Sequence, residues 1–290
     1  MNNRNSKLGF TPLEADYFNN RRNKSFGLLT GFTLIELMAV ISIITLFSSI
    51  VLVALNNVRD NARIAGSKQF SSHVVGQLGD NLISYWTFDE GSGTTARDSW
   101  GTNNGTVNGA TWTSSGVIRG ALSFDGSNQY VSLPAVSGSL NININPVTLE
   151  AWIKPNSVAG SSKEIVGRGT AASNGYGINL NGNKINLGLH GGGNFNSAAV
   201  LTTGNWYHIV GVIKGANSKI YINGVADINT GTINVVNSAL NGSIGASSVG
   251  VTYFFNGIID EVRIYNAALT AQEIQQRYAE SASRHGLAGE

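Results

Sequence analysis

The 290-residue chain contains no cysteine, which excludes disulfide scaffolds, thiolate metal sites and cysteine nucleophiles together. The compartment stays open, because an oxidising exterior permits disulfides without requiring them. Charge is scarce as well: 12% of residues are charged and the net charge is +2. Five of the 19 basic and two of the 17 acidic residues lie within residues 1–31, so the remainder carries 14 basic against 15 acidic. With no basic surface and no block of like charge, nucleic acid is not an expected partner. The four histidines, His73, His190, His208 and His285, share neither a metal-ligand spacing nor a nucleophile partner, so ordinary polar roles are expected. What the chain has in quantity is glycine, 36 residues, together with many asparagines, the composition of a turn-rich β protein.

One long apolar run stands apart. From Phe32 to Leu55 the chain offers 24 residues without Gly or Pro, about 36 Å of helix against a hydrocarbon core of about 30 Å. A membrane helix is expected there. The basic residues before it predict a cytoplasmic N-terminus and an exported C-terminal part. A cleaved secretory signal is the alternative, but the run exceeds an h-region and no A-x-A site ends it. Glu36 is its single charge, and an ionisable residue inside a membrane span is functional by default. No proline interrupts the following stretch, and Val58, Ala62 and Ala65 share a stripe, so an amphipathic extension to about residue 80 is expected.

Gly31 followed by "FTLIEL" resembles the type IV prepilin signature. The resemblance implies cleavage between Gly31 and Phe32 by a prepilin peptidase, N-methylation of Phe32, and a role for Glu36 in assembly. A new positive amine at Phe32 would pair with Glu36 of a neighbouring subunit, so that both charges lose their burial penalty only when subunits are in register. An acid that snorkels to water near the helix end is the alternative for Glu36. The resemblance implies insertion in the cytoplasmic (inner) membrane as a precursor, other pilin subunits as partners, and a cell-surface or pilus location after assembly.

After Leu82 short apolar runs alternate with turn dipeptides such as Asn104-Gly105, Asp125-Gly126, Asn181-Gly182 and Asn223-Gly224, which supply the positive φ that tight hairpins need. "KIYINGVADI" is the clearest hairpin; in "YGINLNGNKINLGLHG" Ile178 and Leu180 oppose Ile185, Leu187 and Leu189. An antiparallel sandwich is predicted. Thr270 and Glu273 form a capping box that opens a short closing helix. The phrases "LISYWTFDEGSGTTARDS", "GALSFDGSNQYVSLP", "VTLEAWIKP", "NWYHIVGVI", "KIYINGV" and "GIIDEVRIYNAALTAQEI", in that order, resemble the laminin-G-like members of the concanavalin A-like jelly rolls. The expected class is therefore α+β: a leader over 1–31, a pilin-type transmembrane and amphipathic helix over 32–80, a β-sandwich over 83–279 and a tail over 280–290.

The E-x-D-x-E arrangement of one hydrolase family on this fold is missing, and Glu150 in "TLEAWI" reads as a strand residue beside Trp152, so no enzyme is expected. A structural calcium ion is a candidate cofactor. The jelly-roll resemblance implies a clip between first and last strands, with Asp89 and Asp260 at its ends and Asp98 and Asp125 as further ligands. Turn capping through local hydrogen bonds is the equal alternative for all four. Trp86, Trp152 and Trp206 fall within strand phrases and are assigned to the core. Trp100, Tyr176, Phe195, Tyr253 and Phe254 lie in or near loops, where rings can stack on a sugar or anchor a protein; an inward-facing strand is the other reading of "VTYFFNGIIDEV". The functional expectation is a minor or tip pilin whose lectin-like domain binds a glycan or surface protein in adhesion. The alternative is a pseudopilin of a type II secretion or DNA-uptake machine.

Overall fold

The computed structural model describes residues 33–48, 51, 81–134, 138–169, 175–189, 193–236, 238, 240–247 and 252–285. The chain divides into two compact units, Met1–Lys68 and Gln69–Glu290.

In the first unit, residues 34–48 form helix α1. Its start is a capping box: the Thr33 amide and hydroxyl each donate to Glu36 Oε2 at 2.9 Å, and the Glu36 amide donates back to Thr33 Oγ1 at 3.2 Å. Glu36 therefore has a local capping role, visible in the T-x-x-E spacing of residues 33–36. The hydroxyls along the helix satisfy themselves, Ser42 donating to the Met38 carbonyl and Ser48 to the Ile44 carbonyl, both at 2.7 Å. Its apolar side chains stand uncovered all round, from Val40 at 45% exposed to Ile35 at 80%. Such a helix has no polar face to give to water. Among the described residues no helix is long and apolar enough to cross a membrane; the stretch expected to complete the span, Val51 apart, lies outside them, as do Gly31, Phe32 and the amphipathic extension.

The second unit is a mostly antiparallel β-sandwich. One sheet runs in the order β14 (Val225–Ile233), β13 (Gly215–Ile222), β12 (Tyr207–Ile213), β7 (Val147–Pro155), β16 (Asn256–Tyr265), β5 (Ala121–Asp125) and β4 (Thr111–Thr113), with β1 (Leu82–Trp86) also paired to β16. The other runs β11 (Gly193–Asn196), β10 (Lys184–Leu189), β9 (Tyr176–Asn181), β8 (Lys163–Arg168), β15 (Gly242–Ile244), β6 (Tyr130–Ser132), β3 (Gly105–Asn108) and β2 (Thr95–Ala96). Alternation along the strands sends Leu149, Ala151 and Ile153 of β7, with Ile178 and Leu180 of β9 and Ile185 and Leu187 of β10, into one shared core. The sheets are close-packed at Gly211, where a Cβ would stand 2.3 Å from Leu187 Cδ1.

β7 is buried on both faces, which period-2 reading alone does not anticipate. The reason is helix α2, Ala271–His285, which lies over the outer face of the first sheet. Trp152 stacks on Tyr278 with ring centroids 5.8 Å apart, and Ala282 is buried beside them. That burial accounts for α2 continuing through the residues expected to be tail. The predicted capping box opens it: the Thr270 amide and hydroxyl donate to Glu273 Oε2 at 2.6 and 2.8 Å. The β13–β14 hairpin turns at Asn223 (φ 51°) and Gly224 (φ 77°) as expected. The β9–β10 turn instead pairs Asn181 with Lys184, so its loop is Gly182-Asn183, one residue later than read.

Candidate functional site

The four aspartates proposed for calcium are each engaged by backbone amides. Asp98 Oδ1 accepts from Tyr85, Trp100 and Gly101, and Oδ2 accepts from Asn103 at 3.0 Å. Asp125 Oδ1 accepts from Ser127 within its own turn at 2.8 Å. Asp89 and Asp260 do meet one common segment, as their strand ends suggested. Asp89 accepts from Gly120 at 2.9 Å, while Asp260 Oδ2 accepts from Val117 at 2.8 Å and Ile118 at 3.1 Å. Among the described residues no three carboxylate or imidazole side chains gather as metal ligands. The hydrogen bonds that these four carboxylates accept are those of turn capping and loop clamping. Burial, and the neighbouring Glu261 carboxylate, push Asp260 up to about 8.

The loop aromatics separate. Tyr176 is corrected to the core: it is 1% exposed and its hydroxyl donates to the Leu140 carbonyl at 2.8 Å, because β9 begins there with its side chain turned inward. Phe195 is half-buried and packs on the core, under Gly231 of β14. Phe254 is partly buried, and its neighbour Phe255 fully so. Trp100, 54% exposed, and Tyr253, 38% exposed, remain at the surface. Trp86 and Trp152 are core as expected, and Trp206 packs partly buried beside Trp152.

Glu150 points away from the core, beneath α2, and is fully buried. His208 Nε2 lies 3.0 Å from its Oε1, Arg263 Nη1 3.3 Å from the same oxygen, and Arg277 Nε 3.6 Å from Oε2, to which Tyr265 donates at 2.9 Å. Burial alone would raise this carboxyl, but the two guanidiniums and His208 hold it well below the usual carboxylate range. The network ties β7, β12, β16 and α2 together. Its carboxylate is sealed from substrate by its own partners, so it is architectural.

The other sheet carries the feature that the sequence reading missed. Register aligns Glu164 of β8 with Asn179 of β9, Asn179 with Asn186 of β10, and Asn186 with Asn196 of β11. Four polar side chains thus form one row across four adjacent strands, on the face opposite the core, spanning about 14 Å at about 4.8 Å per strand. Asn179 Nδ2 donates to Asn186 Oδ1 at 3.2 Å, and Asn186 Nδ2 to Asn196 Oδ1 at 2.9 Å. The row is sunk into the surface: Glu164 and Asn179 are 6% exposed and Asn186 8%. Yet Glu164 Oε1 and Asn179 Oδ1 have no hydrogen-bond partner among the described residues, a state costing about 1 to 3 kcal/mol per group until something donates to it.

Gly167 and Gly177, paired across β8 and β9, make the seat for Glu164. A Cβ at either would fall 2.2 or 2.5 Å from Glu164 Oε1, so the carboxyl lies flat over the two glycines. Burial raises the Glu164 carboxyl well above its ordinary value. Tyr253, in a left-handed conformation (φ 60°), is fixed at this end of the row by the Glu164 amide donating to its carbonyl at 2.8 Å. The sequence signal existed in the alternating asparagines of "INLNGNKINLGL", residues 178–189.

Residues 125–275 match the family model for laminin G domains of the concanavalin A-like lectin/glucanases superfamily. The chain belongs to this superfamily. Among solved structures, the superfamily domain is similar to domain 4 of AbnA, a GH43 extracellular arabinanase from Geobacillus stearothermophilus solved with arabinotriose. That match has a TM-score of 0.53 and 22% identity over 68% of this chain and 97% of that one. A Trypanosoma rangeli sialidase matches at a TM-score of 0.54 and 14% identity, over 71% of this chain but 33% of the sialidase. The binding domain of Paraclostridial Mosquitocidal Protein 1 matches at 0.51 and 14%, over 70% and 53%. At these identities the likeness establishes the fold. No curated protein matches the chain by sequence.

Proposed function

We propose that the chain is a pilin-like, membrane-anchored surface subunit whose jelly roll binds a glycan along the Glu164–Asn179–Asn186–Asn196 row. The observation that carries the glycan reading is the pair of sunken acceptors, Glu164 Oε1 and Asn179 Oδ1, without donors among the described residues in a row of amides. Sugar hydroxyls donate and accept in series, and an amide row offers both functions at each strand. Tyr253 beside Glu164 adds a ring on which a sugar face can stack. The likeness to an arabinanase domain solved with arabinotriose supports the same reading. Binding without hydrolysis is proposed, because Glu164 is the one carboxylate among the described residues of the row, whereas glycoside hydrolysis uses two about 5 to 9.5 Å apart.

The anchoring half of the proposal rests on the "GFTLIEL" resemblance and on an α1 that is apolar all round. Display at the cell surface, alongside other pilin subunits, follows from it. The glycan half is tested by screening the detergent-solubilised full chain on an array of neutral oligosaccharides that includes arabinotriose. Binding that disappears in Asn186→Leu, with a cooperative β-sandwich melt still seen by circular dichroism, is the expected result. An array with no saturable hit would overturn it.

A further inference from the structure

A second cleft lies on the opposite sheet, beside α2. Its volume is about 250 Å³, and its lining includes Tyr85, Trp100, Ile118, Glu280, Arg277 and Arg284. It is distinct from the amide row in position and in chemistry. Its depth is organised by charge. Tyr85 donates to Glu261 Oε2 at 2.6 Å, Arg263 bridges Glu261 to Glu150, and the Arg263 guanidinium carbon sits 3.8 Å above the Tyr85 ring. Glu261 holds a left-handed backbone (φ 52°) at the register shift of β16, so the chain tolerates strain to keep that carboxylate in place.

The mouth differs from the base. Arg263 and Arg277 are committed to Glu150 and Glu261, and Glu280 accepts from Gln276 at 2.9 Å. Arg284 lies on the same face of α2 as Arg277 and Ser281, about two turns on from Arg277, is exposed, and belongs to none of the ion pairs among the described residues. Trp100 presents an indole 54% exposed in the same cleft, held by its backbone amide on Asp98 Oδ1 at 3.1 Å. An uncommitted guanidinium and an exposed aromatic ring, with Leu82 and Ile118 adding apolar lining, describe a ligand with a carboxylate on a ring whose faces are C–H rich. At this size the cleft is smaller than the roughly 300 to 1,000 Å³ of sites for drug-sized ligands, and it suits one ring.

We propose that this cleft binds a carboxylated sugar residue of the uronic acid class, its ring stacked on Trp100 and its carboxylate on Arg284. The site is independent of the amide row: it lies against the sheet that carries β1 and β16, beside α2, whereas the row crosses β8 to β11 of the other sheet.

The test uses the full chain in detergent and three probes: methyl glucuronide, methyl glucoside and an N-acetylated aspartyl peptide amide, each titrated by calorimetry at low salt. Saturable glucuronide binding is expected. The glucoside should bind about tenfold more weakly or worse, the loss expected for one charge-assisted hydrogen bond. Arg284→Gln should lose a similar factor, and Trp100→Ala should abolish binding; both side chains are exposed, so folding is preserved. Absence of glucuronide binding, equal affinity for the glucoside, or indifference to both substitutions would overturn the proposal. Tighter binding of the aspartyl peptide would assign the cleft to a protein carboxylate and overturn it as well. Glucuronide binding lost in Asn186→Leu would move the ligand to the amide row, whereas failure of the neutral-glycan array alone leaves the cleft standing.

Discussion

Replacing Glu150 by glutamine tests whether the network under α2 holds the sandwich and helix together through charge. The side chain is fully buried and meets two guanidiniums, at 3.3 Å for Arg263 and 3.6 Å for Arg277. Glutamine keeps the shape and one acceptor but leaves both cations short of a counter-charge. Breaking a buried ion pair by removing one partner costs about 3 to 5 kcal/mol. Arg263 retains Glu261, and the Arg277 side chain is 19% exposed, so water relieves part of the loss. The low end, about 3 kcal/mol, applies, and at about 2 to 4 °C per kcal/mol for a domain of this size the melting temperature should fall by about 6 to 12 °C at pH 7. Circular dichroism melts across pH supply the decisive contrast. Because its folded pKa is depressed, Glu150 contributes stability that is present above the ordinary glutamate value of 4.5 and lost as pH falls below it. The wild-type and variant curves should therefore converge in acid. Parallel curves down to pH 3, or a fall of less than about 2 °C at pH 7, would refute the charge argument, given the scale of about 2 to 4 °C per kcal/mol.

Glu164 and Asp260 predict the opposite slope. A carboxyl raised in the folded state is ionised first in the unfolded chain, so stability falls as pH rises above the ordinary value of 4.5 for Glu164 or 3.8 for Asp260. Glu164→Gln should flatten part of that decline in melts between pH 5 and 8; an unchanged slope would place the carboxyl in water. Calcium or chelator should leave the melting temperature unmoved, while Asp98→Ala, which strips the acceptor from four backbone amides, should cost about 2 kcal/mol or more; a chelator-sensitive melt would restore the metal reading. Gly31→Val should leave the leader attached, read by mass spectrometry as the absence of an N-methylated Phe32. Glu36→Gln keeps the helix cap, since glutamine serves equally in a capping box, and removes only the charge. Poor incorporation into filaments is expected, and normal incorporation would mean that capping alone explains the residue.

Features set by neighbours along the chain were legible from residues alone. The turn at Asn223-Gly224 follows from two adjacent positions that accept positive φ, the Thr270–Glu273 cap from a spacing of three, and the core placement of Ile178, Leu180, Ile185 and Leu187 from strand alternation. Local backbone sterics and period-2 patterning decide such features, and both are written in consecutive residues. The sites are of another kind. Glu164 and Asn196 lie 32 positions apart and become members of one row only because four strands pair in a particular register. Glu150 becomes an internal counter-ion only because α2 covers β7 and brings Arg277 over it, 127 positions downstream. Tyr176 went into the core for a similar reason, its loop context yielding to the start of a strand that needed an inward side chain. Composition alone established that a glycine- and asparagine-rich chain without cysteine would be a turn-rich β protein; which asparagines face each other was decided by cross-strand pairing, since hydrogen-bond register is a property of two segments and belongs to neither one by itself.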